Sequence, residues 1–564
     1  MSKFPAAAIY FVPEAYSISG DKLMGRNAAG QSFLEGYFRY GRCDTFWAHV
    51  KEADDLRKFQ CAAQEINHGK KIEGFLSADL GLAGHAGTLY YPGPDLADMA
   101  LKRAQFGSDK WSLCGITHTT SSARAMDSIA SWLTAPIEPW DAIICTSIAV
   151  KKNVELILDS ELARLKRRLG ATKVTLPELP VIPLGINTGD FVFSDNERAA
   201  ARAALKLERD TVAVLYVGRL SFHAKAHPLA MYQALEVAAT KTKKDIVLIE
   251  CGWFANDYAR KAFEEAAKVT CPSVRIIRLD GREKKNRALA WSGADIFCSL
   301  ADNIQETFGI TPIEAMAAGL PCVVTDWDGY KDTISDDVGF RSPTSIPAPG
   351  LGQDLANRHA SNRDTYDFYC GHTCLFVGVD IEATVEAFIR LIENENLRKE
   401  MGAAGRRRAR NLYDWAKIIP QYEDLWGRLA NTRQLAGETP IRATPTRLDP
   451  YYAFSHYATE VVNLDSVIEL TEQDIDVVYK RVDFFLSLEM IKFGEKVLPS
   501  RKILREMISE IALKPREKVE LFGGHDKQKQ LIMIRAVGFL HKLGLVRLTR
   551  LAGAGTVNNS ESGI

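Results

Sequence analysis

Two glutamates that lie eight residues apart, Glu306 and Glu314, are the most informative pair of side chains in the sequence. The surrounding stretch, DIFCSLADNIQETFGITPIEAMAAGLPCVVTDWDGYKD, predicts a strand up to Ser299 and then a loop that carries the first glutamate. A helix should follow from near Thr311, because Pro312 then falls in its first turn and a glycine follows its end. Both carboxylates would therefore project toward the carboxyl end of the strand.

The predicted helix start suits a phosphate group. Free peptide N–H groups at a helix N-terminus attract anions, and Gly309 lets a phosphate approach the backbone closely. A carboxylate directly beside a phosphate would repel it, so we expect Glu306 and Glu314 to accept hydrogen bonds from hydroxyl groups that flank the phosphates. A nucleotide-sugar carries such hydroxyls on its ribose and on its hexose. Favourable placement of an acid near a helix start would explain either glutamate alone, but not the whole arrangement.

The stretch VLYVGRLSFHAKAHP places two cations after the first strand of the same predicted domain. Arg219 ends that strand, and Lys225 follows six residues later. Residues at the carboxyl ends of parallel strands face the ligand crevice, where an arginine and a lysine can hold a diphosphate and neutralise it as a leaving group. Taken without the glutamates, an ordinary surface loop is the alternative.

Two features in the first half of the chain point to the same crevice. His118 follows the strand-like run WSLCGIT and lies at a predicted strand end, although a structural role in the core is the alternative for an isolated histidine. The glycine-rich stretch SGDKLMGRNAAGQSFLEGY leads into a helix predicted over Gly30–Tyr40, and a glycine loop that opens a helix can cradle phosphate. Asn27 and Gly30 are the candidate binding residues, with a flexible surface loop as the alternative.

These motifs resemble those of the family-four retaining glycosyltransferases, which have the GT-B fold. Glu306-x7-Glu314 within ETFGITPIEAMAAGLPCVVT is similar to the paired-glutamate (EX7E) signature of that family, and a less specific similarity covers roughly residues 5–430. The resemblance implies that Glu314 binds the ribose hydroxyls of the donor nucleotide and that Glu306 contacts hydroxyls of the donor sugar. It also implies that sugar and phosphate oxygens are held by the peptide N–H groups of Thr307, Phe308, Gly309 and Ile310.

The resemblance also implies roles for the remaining candidates. Arg219 and Lys225 are similar to the family's diphosphate-binding arginine and lysine, which are usually five residues apart rather than six. His118 is similar to the family's cleft histidine, which touches the donor sugar. The loop that contains Asn27 and Gly30 corresponds to one that closes on the diphosphate and frames the acceptor.

Short apolar runs alternate with helix-length amphipathic segments up to about residue 430, which is typical of βα units with parallel sheets. The pattern predicts an α/β fold with two tandem Rossmann-like, doubly wound domains that face each other across a cleft. The first series of predicted strands is Ala7–Val12, Thr45–Val50, Trp111–Thr117, Asp141–Thr146 and Pro180–Leu184. The second is Thr211–Val217, Asp245–Cys251, Ser273–Arg278, Ala294–Ser299 and Pro321–Thr325.

Five segments follow from this pattern. They are an acceptor-side domain (1–187), a donor-binding domain (188–410), a crossover helix that packs back on the first domain (411–431), a threonine- and proline-rich linker (432–450) and a mostly helical accessory domain (451–564). For the last, a winged-helix-like arrangement is one option, and oligomerisation is one role.

The composition narrows the class of protein. In 564 residues, 71 basic side chains balance 71 acidic ones, which excludes a globally basic nucleic-acid coat, and no nucleic-acid partner is expected. No apolar run is long enough to span a bilayer, and the first apolar stretch is interpreted as a strand rather than a signal peptide. Ten cysteines, several inside strand-like runs, indicate buried free thiols in a reducing cytoplasm, with peripheral attachment to a membrane left open.

The predicted activity is retaining transfer of a sugar from a nucleoside-diphosphate sugar to an acceptor, which is a glycan, a lipid, a small molecule or a protein. No metal or other cofactor is expected: Asp326-Trp327-Asp328 could bind a divalent ion, but we assign none to it. Three alternatives remain open at this point. They are a sugar phosphorylase, a sugar-nucleotide epimerase or hydrolase of the same fold, and a non-catalytic protein that senses nucleotide-sugar.

Overall fold

The computed structural model describes residues 4–16, 25–67, 69–442, 444–463, 466–513 and 526–549, and side chains for all of these except 25–28 and 549. These residues divide into two compact units, 1–444 and 445–564. The first unit contains two six-stranded sheets, each with helices packed against it.

The first sheet is parallel throughout and has the strand order β3-β2-β1-β4-β5-β6. Its strands are β1 (Ala8–Tyr10), β2 (Thr45–Val50), β3 (Lys71–Leu76), β4 (Thr88–Tyr90), β5 (Ser112–Thr117) and β6 (Ala142–Cys145). The strand order reverses between β1 and β4. In such a sheet, ligands bind outside the carboxyl ends of the strands at this switch point.

The second sheet repeats this arrangement, with the order β12-β11-β10-β7-β8-β9 and parallel pairing throughout. Its strands are β7 (Val212–Arg219), β8 (Ile246–Trp253), β9 (Arg275–Asp280), β10 (Ile296–Ser299), β11 (Cys322–Thr325) and β12 (Gly339–Ser342). The switch point lies between β7 and β10. The predicted α/β fold with two tandem Rossmann-like domains is therefore confirmed.

Helices cover both sheets. Those of the first domain are α1 (Gly25–Tyr40), α2 (Ala53–Ile66), α3 (Ala83–Ala86), α4 (Ala97–Ala104), α5 (Ala123–Ser131) and α6 (Ile148–Leu169). Those of the second are α7 (Asp195–Ala204), α8 (Leu229–Thr242), α9 (Asp257–Thr270), α10 (Lys284–Gly293), α11 (Ile310–Ala318), α12 (Tyr330–Thr333), α13 (Gln353–Ala360), α14 (Tyr366–Cys374), α15 (Ile381–Glu393) and α16 (Glu395–Arg408), with a small antiparallel pair, β13 (Thr344–Ser345) and β14 (Gly378–Val379). Within the described residues no helix is long and apolar enough to cross a membrane.

Two predictions of local structure are wrong. Pro180–Leu184 is not a strand: its backbone pairs with β6 at an isolated bridge between Val181 and Cys145, because its prolines cannot donate ladder hydrogen bonds. The helix predicted from Gly30 begins at Gly25. Strands β3, β4 and β12 were not predicted.

A buried ion pair ties the first domain together. The Arg103 guanidinium on α4 donates to both carboxylate oxygens of Asp141 at 2.5 and 2.7 Å, and both side chains are fully buried. Asp141 also accepts the Leu113 peptide N–H at 2.8 Å, so the pair joins α4, β5 and the start of β6. The bidentate geometry and this third hydrogen bond offset the cost of burying two charges.

A long helix, α17 (Trp415–Ala436), returns from the second domain to the first. Its Trp415 indole donates to the Ser32 hydroxyl at 2.7 Å, and its buried Glu423 pairs with Arg42 at 2.6 Å. The helix continues five residues into the predicted linker. The Arg442 peptide N–H then donates to the Ala104 carbonyl at 2.8 Å, so this part of the linker remains on the first domain.

The second compact unit has its own core, formed by residues that include Val478, Val482, Leu504, Ile508 and Val537. Its elements are α18 (Pro450–Ala453), β15 (Val467–Leu470), α19 (Ile475–Leu486), α20 (Glu489–Lys492), α21 (Arg501–Leu513), α22 (Lys527–Lys542) and β16 (Val546–Thr549). β15 and β16 pair in antiparallel fashion. The unit is mostly helical, as predicted, and the winged-helix-like arrangement stays a prediction.

Candidate active site

Helix α11 begins where the sequence pattern predicts it. Its N-cap is Gly309, whose φ of 79° favours glycine, and a Cβ atom there would overlap the ring of Tyr330. Pro312 is buried in the first turn, and Gly319 ends the helix with φ 81°. Gly309 thus allows the loop to pack directly against the Tyr330 ring, and the first-turn N–H groups of the helix that follows have no partner within the helix itself.

Glu306, in the loop before α11, forms an ion pair with Lys225. The side chains are 11% and 26% exposed, respectively. Burial alone would raise the pKa of Glu306, but Lys225 and the peptide N–H groups of Thr307 and Gly309 outweigh it, so the pKa lies below its usual value. Glu306 is therefore ionised at neutral pH.

Arg219 lies at the end of β7 and reaches the same loop. Its Nη2 atom donates to the Gln305 side-chain oxygen at 3.1 Å and to the Ala224 carbonyl at 3.0 Å. The structure thus brings together Arg219, Lys225 and Glu306, as the sequence predicts. Gln305 was not predicted, because nothing in its spacing distinguishes it from other loop residues.

Glu314 occupies the second turn of α11 and is half-buried. Burial raises its pKa to about 7, against the opposing influence of Arg287 and Lys225. Arg287, on α10, was not predicted, since only the packing of α10 beside α11 brings it near. The two glutamates of the motif therefore have opposite pKa shifts.

Hydrogen bonds connect the loop before α11, and the nearby helix α12, with the first domain. The Thr307 hydroxyl donates to the His118 carbonyl at 3.1 Å, and the Thr307 carbonyl accepts from the Ser147 hydroxyl at 2.8 Å. The Ile148 peptide N–H, at the start of α6, donates to the Asp332 carboxylate at 2.7 Å. His118 thus lies beside the loop that carries Glu306. Ser147 and Asp332 carry no sequence signal, because their partners are distant in the chain.

A second connection comes from α14. Its Tyr366 hydroxyl is hydrogen-bonded to the Ser121 hydroxyl at 2.9 Å and to the Thr119 hydroxyl at 3.3 Å. Both partners follow His118 in the first domain. The two Rossmann-like domains therefore face one another in direct contact at the edge of the cleft.

The other predicted donor-binding residues differ in whether their backbone or their side chain could contact a ligand. Phe308 is 2% exposed and its ring packs near that of Tyr413, so only its backbone can face a ligand; Ile310 is half-buried. Gly30 lies inside α1, where a Cβ atom would collide with the Ala15 carbonyl oxygen, and this close packing accounts for a glycine there. The side chain of Asn27 lies outside the described residues.

The two acids of Asp326-Trp327-Asp328 have different surroundings. Asp326 pairs with Arg341 at 3.2 Å, whereas Asp328 lies near Glu306 and Lys225. Among the side chains that the structure describes, no group of three or more His, Cys, Asp or Glu is arranged to hold a metal ion.

Comparison with known proteins agrees with this geometry. Residues 197–347, which include β7 to β12, match the family described as "Glycosyl transferases group 1". The second Rossmann-like domain is similar to that family across its whole six-stranded sheet. Together with the two facing sheets, this match confirms the GT-B glycosyltransferase resemblance that rests on Glu306 and Glu314.

Among curated relatives, the phosphatidyl-myo-inositol mannosyltransferase of Mycobacterium leprae is 28% identical over 162 residues, 28% of this chain and 33% of the relative. The D-inositol 3-phosphate glycosyltransferase of Mycobacterium sp. (strain KMS) is 26% identical over 231 residues, 41% of this chain and 50% of the relative. The chain thus spans between a third and a half of the length of these relatives.

Some solved structures are similar to this chain at low sequence identity. Sucrose-phosphate synthase from Thermosynechococcus elongatus is 16% identical with a TM-score of 0.46, covering 76% of this chain and 100% of the other. HepE from Anabaena in complex with UDP is 14% identical with a TM-score of 0.46, covering 75% of this chain and 100% of the other.

Proposed function

We propose that the protein is a retaining glycosyltransferase that moves a sugar from a nucleoside-diphosphate sugar to an acceptor without a metal ion. One observation carries the proposal: an ionised glutamate, Glu306, is paired with Lys225 beside the N-terminus of α11, in the cleft between two Rossmann-like domains. A carboxylate that can accept hydrogen bonds from sugar hydroxyls thus lies next to a cation and a helix N-terminus, both of which can bind phosphate.

The hydrogen-bonding capacity of the cations supports diphosphate binding. A lysine ammonium has three N–H donors, and only one is needed for Glu306, so two remain for phosphate oxygens. An arginine has five, and the two contacts of Arg219 involve Nη2 alone, which leaves donors on its other nitrogens. Both cations can thus bind a ligand while their existing contacts keep them in place.

The same groups would stabilise the departing nucleoside diphosphate. As the glycosidic bond breaks, negative charge grows on the phosphate and positive charge on the sugar ring. Lys225, Arg219 and the N-terminus of α11 stabilise the first, and Glu306 lies where it favours the second. Retention of configuration rests on the resemblance of Glu306-x7-Glu314 to the family-four signature, and the leaving phosphate oxygen itself can accept the acceptor's proton on the same face.

For the acceptor, we propose a class of compounds to test first, namely inositol compounds. Both curated relatives are named for transfer to an inositol compound. We therefore start the acceptor panel with myo-inositol, inositol 3-phosphate and phosphatidylinositol, and add simple glycans and peptides.

Nucleotide release from a panel of nucleoside-diphosphate hexoses, with and without each acceptor, tests the proposal. A transferase releases nucleotide faster with acceptor and forms a glycoside, whose anomeric configuration NMR then compares with that of the donor. Release without any acceptor, yielding free sugar, would instead identify a hydrolase or an epimerase.

The matched variants are Lys225→Ala and Lys399→Ala. Lys399 is an exposed lysine on α16 whose ion pair with Glu395, at 2.6 Å, resembles the one under test. Loss of Lys225 should lower kcat about 100-fold or more, as for removal of one group that stabilises transition-state charge, whereas loss of Lys399 should change it less than about twofold. Equal activity of both variants would contradict the proposal.

A further inference from the structure

A second carboxylic acid lies next to Glu306, on the loop after β11. The Trp327 indole N–H of that loop donates to the Asn303 carbonyl at 3.2 Å. Gly329 packs so closely on the backbone of Phe308 that a Cβ atom would lie 2.5 Å from its Cα. The loop is therefore held against residues 303–308 at two points, and Asp328 lies between these points.

The backbone of Asp328 is unusual. Its φ is 49°, in the left-handed region that non-glycine residues rarely adopt. The other described non-glycine residues with positive φ directly follow helices, where this conformation is common: Lys206, Lys243 and Asn362. Asp328 follows a strand instead, so helix termination does not explain it.

The carboxylate of Asp328 is also unusual. Its Oδ2 atom is inaccessible to solvent and has no hydrogen-bond partner among the described residues. A tight turn explains an aspartate with positive φ, but it does not require the Oδ2 atom to be buried near another carboxylate. A buried polar atom of this kind, together with strained backbone, is characteristic of ligand-binding sites.

The chemistry of the carboxyl group indicates its ligand. Burial and the negative charge of Glu306 hold the pKa of Asp328 well above its usual range, while the Gly329 peptide N–H and Lys225 act in the opposite direction. A protonated carboxyl group both donates and accepts hydrogen bonds, as a sugar hydroxyl does. It disfavours a carboxylate ligand, because that would be a third acid in the same space.

Building on the proposed glycosyl transfer, we infer that Asp328 determines donor specificity by binding a hydroxyl of the transferred sugar beside Glu306. It thereby selects neutral hexoses over uronic acids. This role differs from that of Glu306, which is already held by its ion pair with Lys225.

The test compares Asp328→Asn, Asp328→Gly and the control Asp326→Asn, which changes the neighbouring acid that pairs with Arg341. Asparagine tolerates positive φ and glycine relieves it, so both variants should fold. Steady-state transfer or hydrolysis is measured with UDP-glucose, GDP-mannose and UDP-glucuronate, and calorimetry measures the affinity for UDP and GDP.

For the hexose donor that the wild type uses, Asp328→Gly and Asp328→Asn should lower kcat/KM by about tenfold to 100-fold. Affinity for the free nucleoside diphosphate should stay within about twofold of wild type, and the preference for hexose over glucuronate should shrink. Asp326→Asn should behave as wild type.

Three outcomes would overturn the inference. Unchanged donor use in both Asp328 variants removes the role while leaving the proposed function intact. If the variants lose affinity for the free nucleoside diphosphate by the same factor as they lose kcat/KM, the effect is not at the sugar. A wild-type protein that binds none of these nucleotides overturns the proposed function, and this inference with it.

Discussion

In the proposed donor site, the pKa of Glu314 should make nucleotide binding depend on pH. Burial raises this pKa to about 7, and in the proposed site the ionised carboxylate accepts hydrogen bonds from the ribose hydroxyls. A carboxyl group with this pKa is about 9% ionised at pH 6 and about 91% ionised at pH 8. Since apparent affinity scales with the fraction of binding-competent protein, the dissociation constant should fall about tenfold from pH 6 to pH 8.

Calorimetric titration with a non-hydrolysable nucleoside-diphosphate sugar measures this effect, because its doubly esterified diphosphate does not titrate in this range. Glu314→Gln provides the control: its affinity should be weak and should change less than about twofold over the same interval. A wild-type affinity that does not depend on pH would refute the reasoning. So would a Glu314→Gln variant that is as pH-dependent as the wild type, because another group would then be responsible.

The same pKa predicts a dependence of stability on pH. Between the ordinary glutamate pKa of 4.5 and about 7, the folded protein binds more protons at Glu314 than the unfolded chain does. The free energy of unfolding contributed by this group is therefore fully present below pH 4.5 and is lost as the pH rises through 7. Thermal unfolding from pH 5 to 8 should show a smaller decline for Glu314→Gln than for wild type.

Three further changes test the frame of the site. Gly309→Ala would place a methyl group against the Tyr330 ring, at a backbone position whose φ is positive. Chemical denaturation should show a loss of stability of about 3 kcal/mol or more. Asp141→Ala leaves the buried charge of Arg103 unpaired and should cost about 3–5 kcal/mol in the same assay, so a smaller loss would show that water reaches the pair. Asp332→Ala removes the hydrogen bond from the Ile148 peptide N–H, which links the two Rossmann-like domains. The population of molecules with separated domains should therefore rise about tenfold. X-ray scattering should show a larger radius of gyration, while the melting temperature stays unchanged.

The sequence identifies best those elements that are buried on both faces. β10 and β11 are short apolar runs with fully buried residues, and both were predicted within two residues of their bounds. β3 reads KIEGFL and is mostly half-buried at the sheet edge, β4 has three residues, and β12 reads GFRS, so none has a distinctive pattern. These strands are determined by pairing with neighbouring strands of the sheet rather than by their local sequence.

The residues of the candidate site also divide into those that could be predicted from the sequence and those that could not. Arg219, Lys225 and Glu306 could be placed together from sequence, because strand ends and helix starts in a parallel sheet meet at one edge. Arg287 and Ser147 could not, since their positions depend on helix packing and on contact between the domains. The opposite pKa shifts of the two glutamates also required the structure, because burial and the position of Lys225 determine them.

The balance of charges in the second domain bears on how the proposed donor site would use the first domain. Arg219, Lys225 and Arg287 supply three positive charges, and Glu306 and Glu314, when ionised, remove two. The N-terminus of α11 adds about half an elementary charge. A donor diphosphate carries two negative charges and gains a third as it leaves, so the described groups of the second domain do not neutralise it alone. We expect peptide groups and side chains of the first domain to contribute further stabilisation, because the hydrogen bonds from Ser147 and to His118 hold that domain against the loop before α11.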